Sequence, residues 1–202
     1  MKMDENTNII RCQWAENPLF HEYHDKEWGV QVHNDKKHFE FLILEAAQAG
    51  LSWATILKRR EGYRRAFANF DPKNAAKFTE KDIEKLMNNS AIIRNRLKIN
   101  AAINNAKMFL TVQKEFGTFD KYIWTFVKGK PIVNKWEKTS EIPATSEESE
   151  VLSKDLKKRG FKFVGPTIIY AHMQAVGMVN DHQTNCFRYS IISNITPLET
   201  PE

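Results

Sequence analysis

The chain has 202 residues, 42% hydrophobic and 27% charged, with a formal net charge of +5. That balance describes one soluble globular domain with a substantial core. No apolar run approaches the roughly 20 residues that span a bilayer. The N-terminal MKMDENTNIIR has no apolar signal core, so a cytoplasmic protein is expected. The positive charge suits a polyanionic partner without requiring one. Cys12 and Cys186, near opposite ends, are the only cysteines, and a disulfide between them is not expected in the cytosol.

In chain order, residues 1–10 read as a flexible tail, followed by a stretch dense in aromatics and histidines from Cys12 to Val32. Asp35 is expected to cap a helix from Lys36 to about Gly50, and a second helix covers Ser52 to Phe67. Asp71-Pro72 is a cap followed by a first-turn proline. Thr79 with Asp82 forms a capping box that opens a short helix to about Asn88. After Asn88-Asn89-Ser90, the run from Ile92 to Phe116 has apolar residues at helical spacing, Ile99, Ala102, Ile103, Ala106, Phe109 and Leu110 among them. An aromatic helix covers Phe119 to Val127, and residues 132–144 form the one long loop. Thr145 with Glu148 opens a helix to Lys158, Gly165-Pro166 opens another to about Gly177, and a tail follows from about Ser190. Strand patterns are nearly absent, so the fold class is all-α.

Three groups of residues carry chemistry. In FLILEAAQAGLSW, Glu45 lies in apolar sequence, with Gln48 and Ser52 each about one turn further on. A carboxylate there must be paired, protonated or facing a cavity. It is either a core glutamate paired with an arginine or part of a site that grips a flat, polar-edged ligand, with Leu51 and Trp53 past the turn at Gly50. His182 and Cys186 are spaced to share a metal, and Cys12 and His24 offer two more ligands of the type zinc prefers. His21, His33 and His172 compete with them, and four unrelated residues remain the alternative. The segment from Asp82 to Phe109 reads as helix, turn, helix. Arg94, Arg96 and Lys98 follow the turn, forming either a phosphate-binding hairpin or a helix pair with a solvated basic edge.

The strings RCQW, YHDKEWG, LEAAQAGLSW, IIRNRLKI, LSKDLKKRGFKFVGPT and GMVNDH followed by Cys186 occur in this order and spacing. Together they resemble the 3-methyladenine DNA glycosylase I family of the helix-hairpin-helix glycosylase superfamily, over residues 11–187. The resemblance implies a two-lobed α-helical fold, with residues 188–202 as a tail. It implies one structural zinc ion on Cys12, His24, His182 and Cys186, clipping the two ends of the chain together. It also implies that Glu45, helped by Tyr23, reads a base flipped from alkylated double-stranded DNA. Trp53 stacks on that base, Trp14, Phe20, Trp28 and Gln48 complete the pocket, and Leu51 fills the gap in the duplex. Ala91, Ile92, Arg94, Arg96 and Lys98 then form the DNA-binding hairpin, and a monomer is expected. Two residues depart from the pattern: Phe20 stands where some relatives carry tyrosine, and Ala91 where some carry a hairpin glycine. If that position needs a positive φ, alanine strains it by roughly 1 kcal/mol. The rival readings are a catalytically idle binder of alkylated DNA, a glycosylase of broader range, and a zinc-clipped interaction protein.

Overall fold

The computed structural model describes residues 9–194. Two 3₁₀ turns, Gln13–Ala15 and Pro18–Phe20, lead into α1 (His21–Lys26). Then come α2 (Asp35–Gln48), α3 (Trp53–Leu57), α4 (Arg60–Ala66), α5 (Pro72–Ala75), α6 (Glu80–Met87) and α7 (Arg96–Phe116). Helix α8 (Phe119–Trp124) precedes strand β1 (Ile132–Val133), and α9 (Glu147–Lys158) and α10 (Pro166–Ala175) precede β2 (Val179–Asn180). Helix α11 (Phe187–Ser193) ends the described chain.

Helix α2 organises the rest. Ten of its fourteen residues, His38 to Ala47, are buried, which leaves no polar face, and it packs against α3, α4, α7, α8 and α10. A helix buried all round is stable only when its neighbours cover every side. One cluster of apolar side chains runs from Cys12 and Trp28 through Phe39, Phe41 and Leu44 to Phe109, Phe119, Leu152 and Met173. Among the described residues no helix is long and apolar enough to cross a membrane.

The boundaries differ from the sequence expectations in ways that local hydrogen bonding explains. Asn34, not Asp35, caps α2 by accepting from the Lys37 N–H at 3.1 Å. The Asp35 carboxylate instead accepts from the Phe119 and Asp120 N–H groups at 2.9 Å, the free donors at the start of α8. The helix expected over Ser52–Phe67 breaks at Lys58-Arg59 into α3 and α4. Helix α7 starts at Arg96 rather than Ile92, because Asn95 caps it through the Lys98 N–H at 3.1 Å. Ser146, one residue past Thr145, caps α9 with Ser149 as its box partner. The long loop is not wholly irregular: β1 pairs in parallel with β2, Ile132 opposite Val179 and Val133 opposite Asn180. The capping box of Thr79 and Asp82 and the Asp71 cap stand as expected. Helix α11 continues past the expected tail boundary at residue 188. Of the tails expected at residues 1–10 and 188–202, residues 1–8 and 195–202 lie outside the described residues.

Candidate active site and metal cluster

A cavity of about 350 Å³ opens where the end of α2 meets α10, lined by Trp14, Tyr23, Trp28, Glu45, Gln48 and Trp53. Helix α10 adds Thr167, Tyr170, Ala171 and Gln174, and the loop after β1 adds Thr139, Ile142, Pro143 and Ala144. Two buried glutamates of α2 have opposite fates. Glu40 receives Arg60 Nε at 2.8 Å and Arg64 Nη2 at 3.0 Å. Glu45, 5% exposed, forms no ion pair and no hydrogen bond among the described residues, and it lines the cavity. The core ion pair that the sequence allowed for Glu45 thus belongs to Glu40. Burial, with nothing opposing it, pushes the Glu45 carboxyl up to about 8.

Aromatic rings frame this carboxylate. Tyr23 lies 5.2 Å from Trp53, centroid to centroid, and Trp14 meets Trp28 edge-on at 4.9 Å. The indole nitrogens of Trp14 and Trp53 are buried and have no partner. Burial, then the nearby Glu45 charge, raises the Tyr23 phenol well above its ordinary value, so it stays a donor. Gln48 lines the cavity one turn after Glu45, as the spacing predicts. Ser52 does not, because α2 ends at Gln48 and Ser52 instead caps α3 through the Thr55 N–H. Phe20 is not among the lining residues; it packs edge-on against Trp14 at 5.7 Å. Leu51 is 39% exposed at the turn made by Gly50 (φ +76°). A smaller groove of about 190 Å³ runs past it from Glu45 and Gln48 to Thr167 and Ile168.

The sequence reading missed Asp181, whose only signal was its place in GMVNDH. Its carboxylate, 1% exposed, accepts from Tyr170 Oη (2.7 Å), Gln174 Nε2 (2.8 Å), Asn134 Nδ2 (2.7 Å) and Trp136 Nε1 (2.8 Å). It ties the segment after β1 to α10 and so fixes two cavity walls.

At the joined ends of the chain, the ligand atoms of Cys12, His24 and Cys186 lie within 4.8 Å of one another, all buried. The His24 Nδ1 atom is 2.8 Å from Asp25 Oδ1, which leaves Nε2 to the cluster and within 3.5 Å of Cys186 Sγ. A carboxylate behind a histidine is the usual means of orienting a metal ligand. His182 stands beside the cluster, its ring centroid 5.1 Å from that of His24. Its Nδ1 is held by Asn180 Oδ1 at 3.0 Å, while its Nε2 is buried with no partner. Burial first, then the His24 charge, pushes its pKa down to about 3, which keeps the ring neutral. A Cβ on Gly29 (φ +78°) would lie 2.7 Å from the His182 ring, so only glycine admits that ring. Two thiols, an oriented imidazole and an orphaned imidazole nitrogen are the donors a closed tetrahedral metal site needs. Among the described residues, His21, His33 and His172 join no such cluster.

The family profile described as methyladenine glycosylase matches residues 13–189. The chain belongs to that family. It is 49% identical over 180 residues to DNA-3-methyladenine glycosylase 1 of Escherichia coli (strain K12), covering 89% of this chain and 96% of the relative. A solved structure of a 3-methyladenine DNA glycosylase I superposes with a TM-score of 0.86 at 48% identity, covering 88% of this chain and 98% of the other. The Staphylococcus aureus 3-methyladenine DNA glycosylase I, solved for its recognition of 3-methyladenine, superposes at 0.84 with 37% identity over 86% and 93% of the two chains.

In this family member the hairpin between α6 and α7 holds its five candidate residues in different surroundings. Ala91 has no positive φ, so the strain expected from losing a glycine is absent. The Ile92 side chain is buried, at 2% exposed, so only its backbone can face outward. Arg96 pairs with Glu80 and Glu84 of α6. Lys98 turns inward to α2. Of the hairpin cations Arg94, Arg96 and Lys98, Arg94 is the one that is exposed and forms no ion pair among the described residues. The hairpin docks on α4: the Ile93 N–H donates to Tyr63 Oη at 3.2 Å, and a Cβ on Gly62 would lie 2.2 Å from the Ala91 carbonyl oxygen. Gly62→Ala is therefore expected to push the hairpin outward at a cost of about 1–3 kcal/mol. Melting should fall by roughly 2–4 °C for each kcal/mol, with weaker binding to undamaged duplex. Thermal melts and duplex titrations check both.

Proposed function

We propose that the chain is a DNA repair glycosylase that hydrolyses the N-glycosidic bond of 3-methyladenine in alkylated double-stranded DNA, acting as a monomer. The observation that carries this reading is Glu45, a buried carboxyl with no protein partner in an aromatic cavity. The family and the relatives' activity support it.

The base must first leave the stack, which costs less for a damaged base. In this reading Leu51 fills the gap, which its exposure at the Gly50 turn supports. Methylation at N3 makes the adenine ring a cation. In the free protein Glu45 is held protonated at neutral pH by burial. A cation within a few ångströms favours the ionised form, so an alkylated base drives the proton off Glu45 and gains an ion pair. Neutral adenine gives no such drive. Glu45 then accepts from the exocyclic amine, while Trp14, Tyr23 and Trp53 contact an electron-poor ring by cation–π attraction. A guanine ring would turn an acceptor, O6, toward the same carboxylate. When the C1′–N9 bond breaks, its electron pair passes to the base and neutralises it. Water adds to C1′ and gives up a proton. The leaving group needs no protonation, so recognition is the larger part of the task.

The metal reading is zinc, held by Cys12, His24 and Cys186 with His182 as the fourth ligand. Four protein ligands leave no open position, so the ion supplies structure and no step of the reaction. It would close a loop spanning nearly the whole domain.

The test is release of free bases from methylated duplex by the purified protein. The expected product is 3-methyladenine with little 7-methylguanine. Release of both bases would discard the selectivity assigned to Glu45. No release from folded, metal-loaded protein would discard the enzyme and leave a binder of damaged DNA.

A further inference from the structure

Lys98 stands in the first turn of α7 beside Arg94 and Arg96, where the sequence suggests a phosphate contact. Its ammonium is elsewhere. Nζ donates to the carbonyl oxygens of Ala47 at 2.8 Å and Ala49 at 2.6 Å. A helix leaves its last carbonyls without partners, and a cation there also meets the negative end of the helix dipole. The Gln48 carbonyl between them accepts from the Leu51 N–H at 2.6 Å. Three carbonyls at the end of α2 thus have partners, two of them supplied by one side chain from another helix. That last turn carries Glu45 and Gln48 and runs directly into Gly50 and Leu51. Ile43, Ala47 and Ile99 line the small void beside the Lys98 stem, and burial lowers the ammonium's pKa from its ordinary value.

The geometry points to Lys98 as a positioning residue that locks the Glu45–Leu51 turn to the DNA-binding hairpin, so that backbone engagement and placement of the cavity carboxylate move as one unit. This deepens the glycosylase reading and rests on it. Asn95 caps α7 only three residues before Lys98, and the Ile93 N–H is tied to Tyr63. A phosphate seated on the hairpin is therefore a single side chain away from the turn that presents Glu45 and Leu51. Lys98 touches neither the base nor the phosphate.

The test compares wild type, Lys98→Met and Lys98→Arg as full chains. The readouts are the salt dependence of binding to undamaged duplex, affinity for the charged ligand 3,9-dimethyladeninium, and single-turnover base release. Lys98→Met should keep the wild-type salt slope but weaken ligand affinity and base release by about tenfold each, because misplaced groups lose rate steeply. Lys98→Arg, which keeps charge and donors, should recover most of both. A salt slope reduced by about one, with ligand affinity unchanged, would make Lys98 a phosphate contact and overturn the inference. A lower melting temperature with ligand affinity and release unchanged would make it a structural cap and also overturn it. If Lys98→Met does not fold, the wild-type ammonium resonance still decides: it should stay in place when undamaged duplex is added, and a shift on binding would contradict the assignment. The resonance and the salt slope need no base release. A wild type that released no base would therefore fail the glycosylase reading while these two still decided Lys98.

Discussion

Glu45→Gln is expected to lower single-turnover release of 3-methyladenine by about 10²-fold or more, the usual loss when one preorganised electrostatic partner is removed from a water-poor site. The same substitution should stabilise the protein. The folded-state pKa of Glu45 is raised from 4.5 to about 8, and burial is the only cause. Stability is therefore undiminished below the unfolded value and falls as pH rises toward the folded one, by at most about 1.4 kcal/mol per pH unit. Glutamine removes that loss. Its advantage should be near zero at pH 4.5 and grow toward pH 8, to an upper limit on the order of 4 kcal/mol. Loss of activity together with a pH-dependent gain in stability is the signature of a carboxyl kept for function. A structural carboxyl such as Glu40, held by Arg60 and Arg64, would show the reverse. Melting curves at several pH values beside base-release assays check both halves. Unchanged release by Glu45→Gln would remove Glu45 from the recognition scheme.

Cys186→Ser is expected to release the metal and destabilise the chain by at least about 3 kcal/mol, near 6–12 °C in melting temperature for a domain of this size. The cluster joins the 3₁₀ turn after Cys12 to the start of α11, and Arg11–Asp25, Asp25–His24 and Asn180–His182 hold it from behind. Without the ion, two thiols, one imidazole and the unpartnered Nε2 of His182 would remain buried together. Chelation of the wild type should reproduce the loss, and zinc should restore it. Metal analysis and melting should therefore move together across Cys12, His24, His182 and Cys186 variants. A normal melting temperature with no bound metal would refute the structural clip.

What the sequence showed and what it hid follow from the range of each interaction. Glu45 was visible as a carboxylate inside an apolar helix. That Glu40, five residues earlier, would take the arginines was not, because Arg60 and Arg64 come from α4 and nothing local names their partner. Residue types and the His182–Cys186 spacing named all four candidate ligands, but the orphaned Nε2 of His182 appears only once Asn180 is seen holding the other nitrogen. Caps were legible to within one residue: Asn34 replaced Asp35 because both can cap, and α8 supplied a second use for the carboxylate. The hairpin was legible as an element, but the partners of its side chains were not. Long cations point to whichever acceptor is near, α6 for Arg96 and the end of α2 for Lys98. Asp181 gathers donors from the segment after β1 and from α10, a convergence that only the fold creates.

The most direct test of the central claim is a titration of the Glu45 carboxyl by carbon NMR, assigned by its absence in Glu45→Gln, with and without 3,9-dimethyladeninium. The expected midpoint is near pH 8 in the free protein, falling by at least about one unit when the charged base fills the cavity and a proton is released. A midpoint of about 4–5, the ordinary carboxyl range, unmoved by the ligand, would mean that Glu45 is already partnered or solvated, and the recognition scheme would fail.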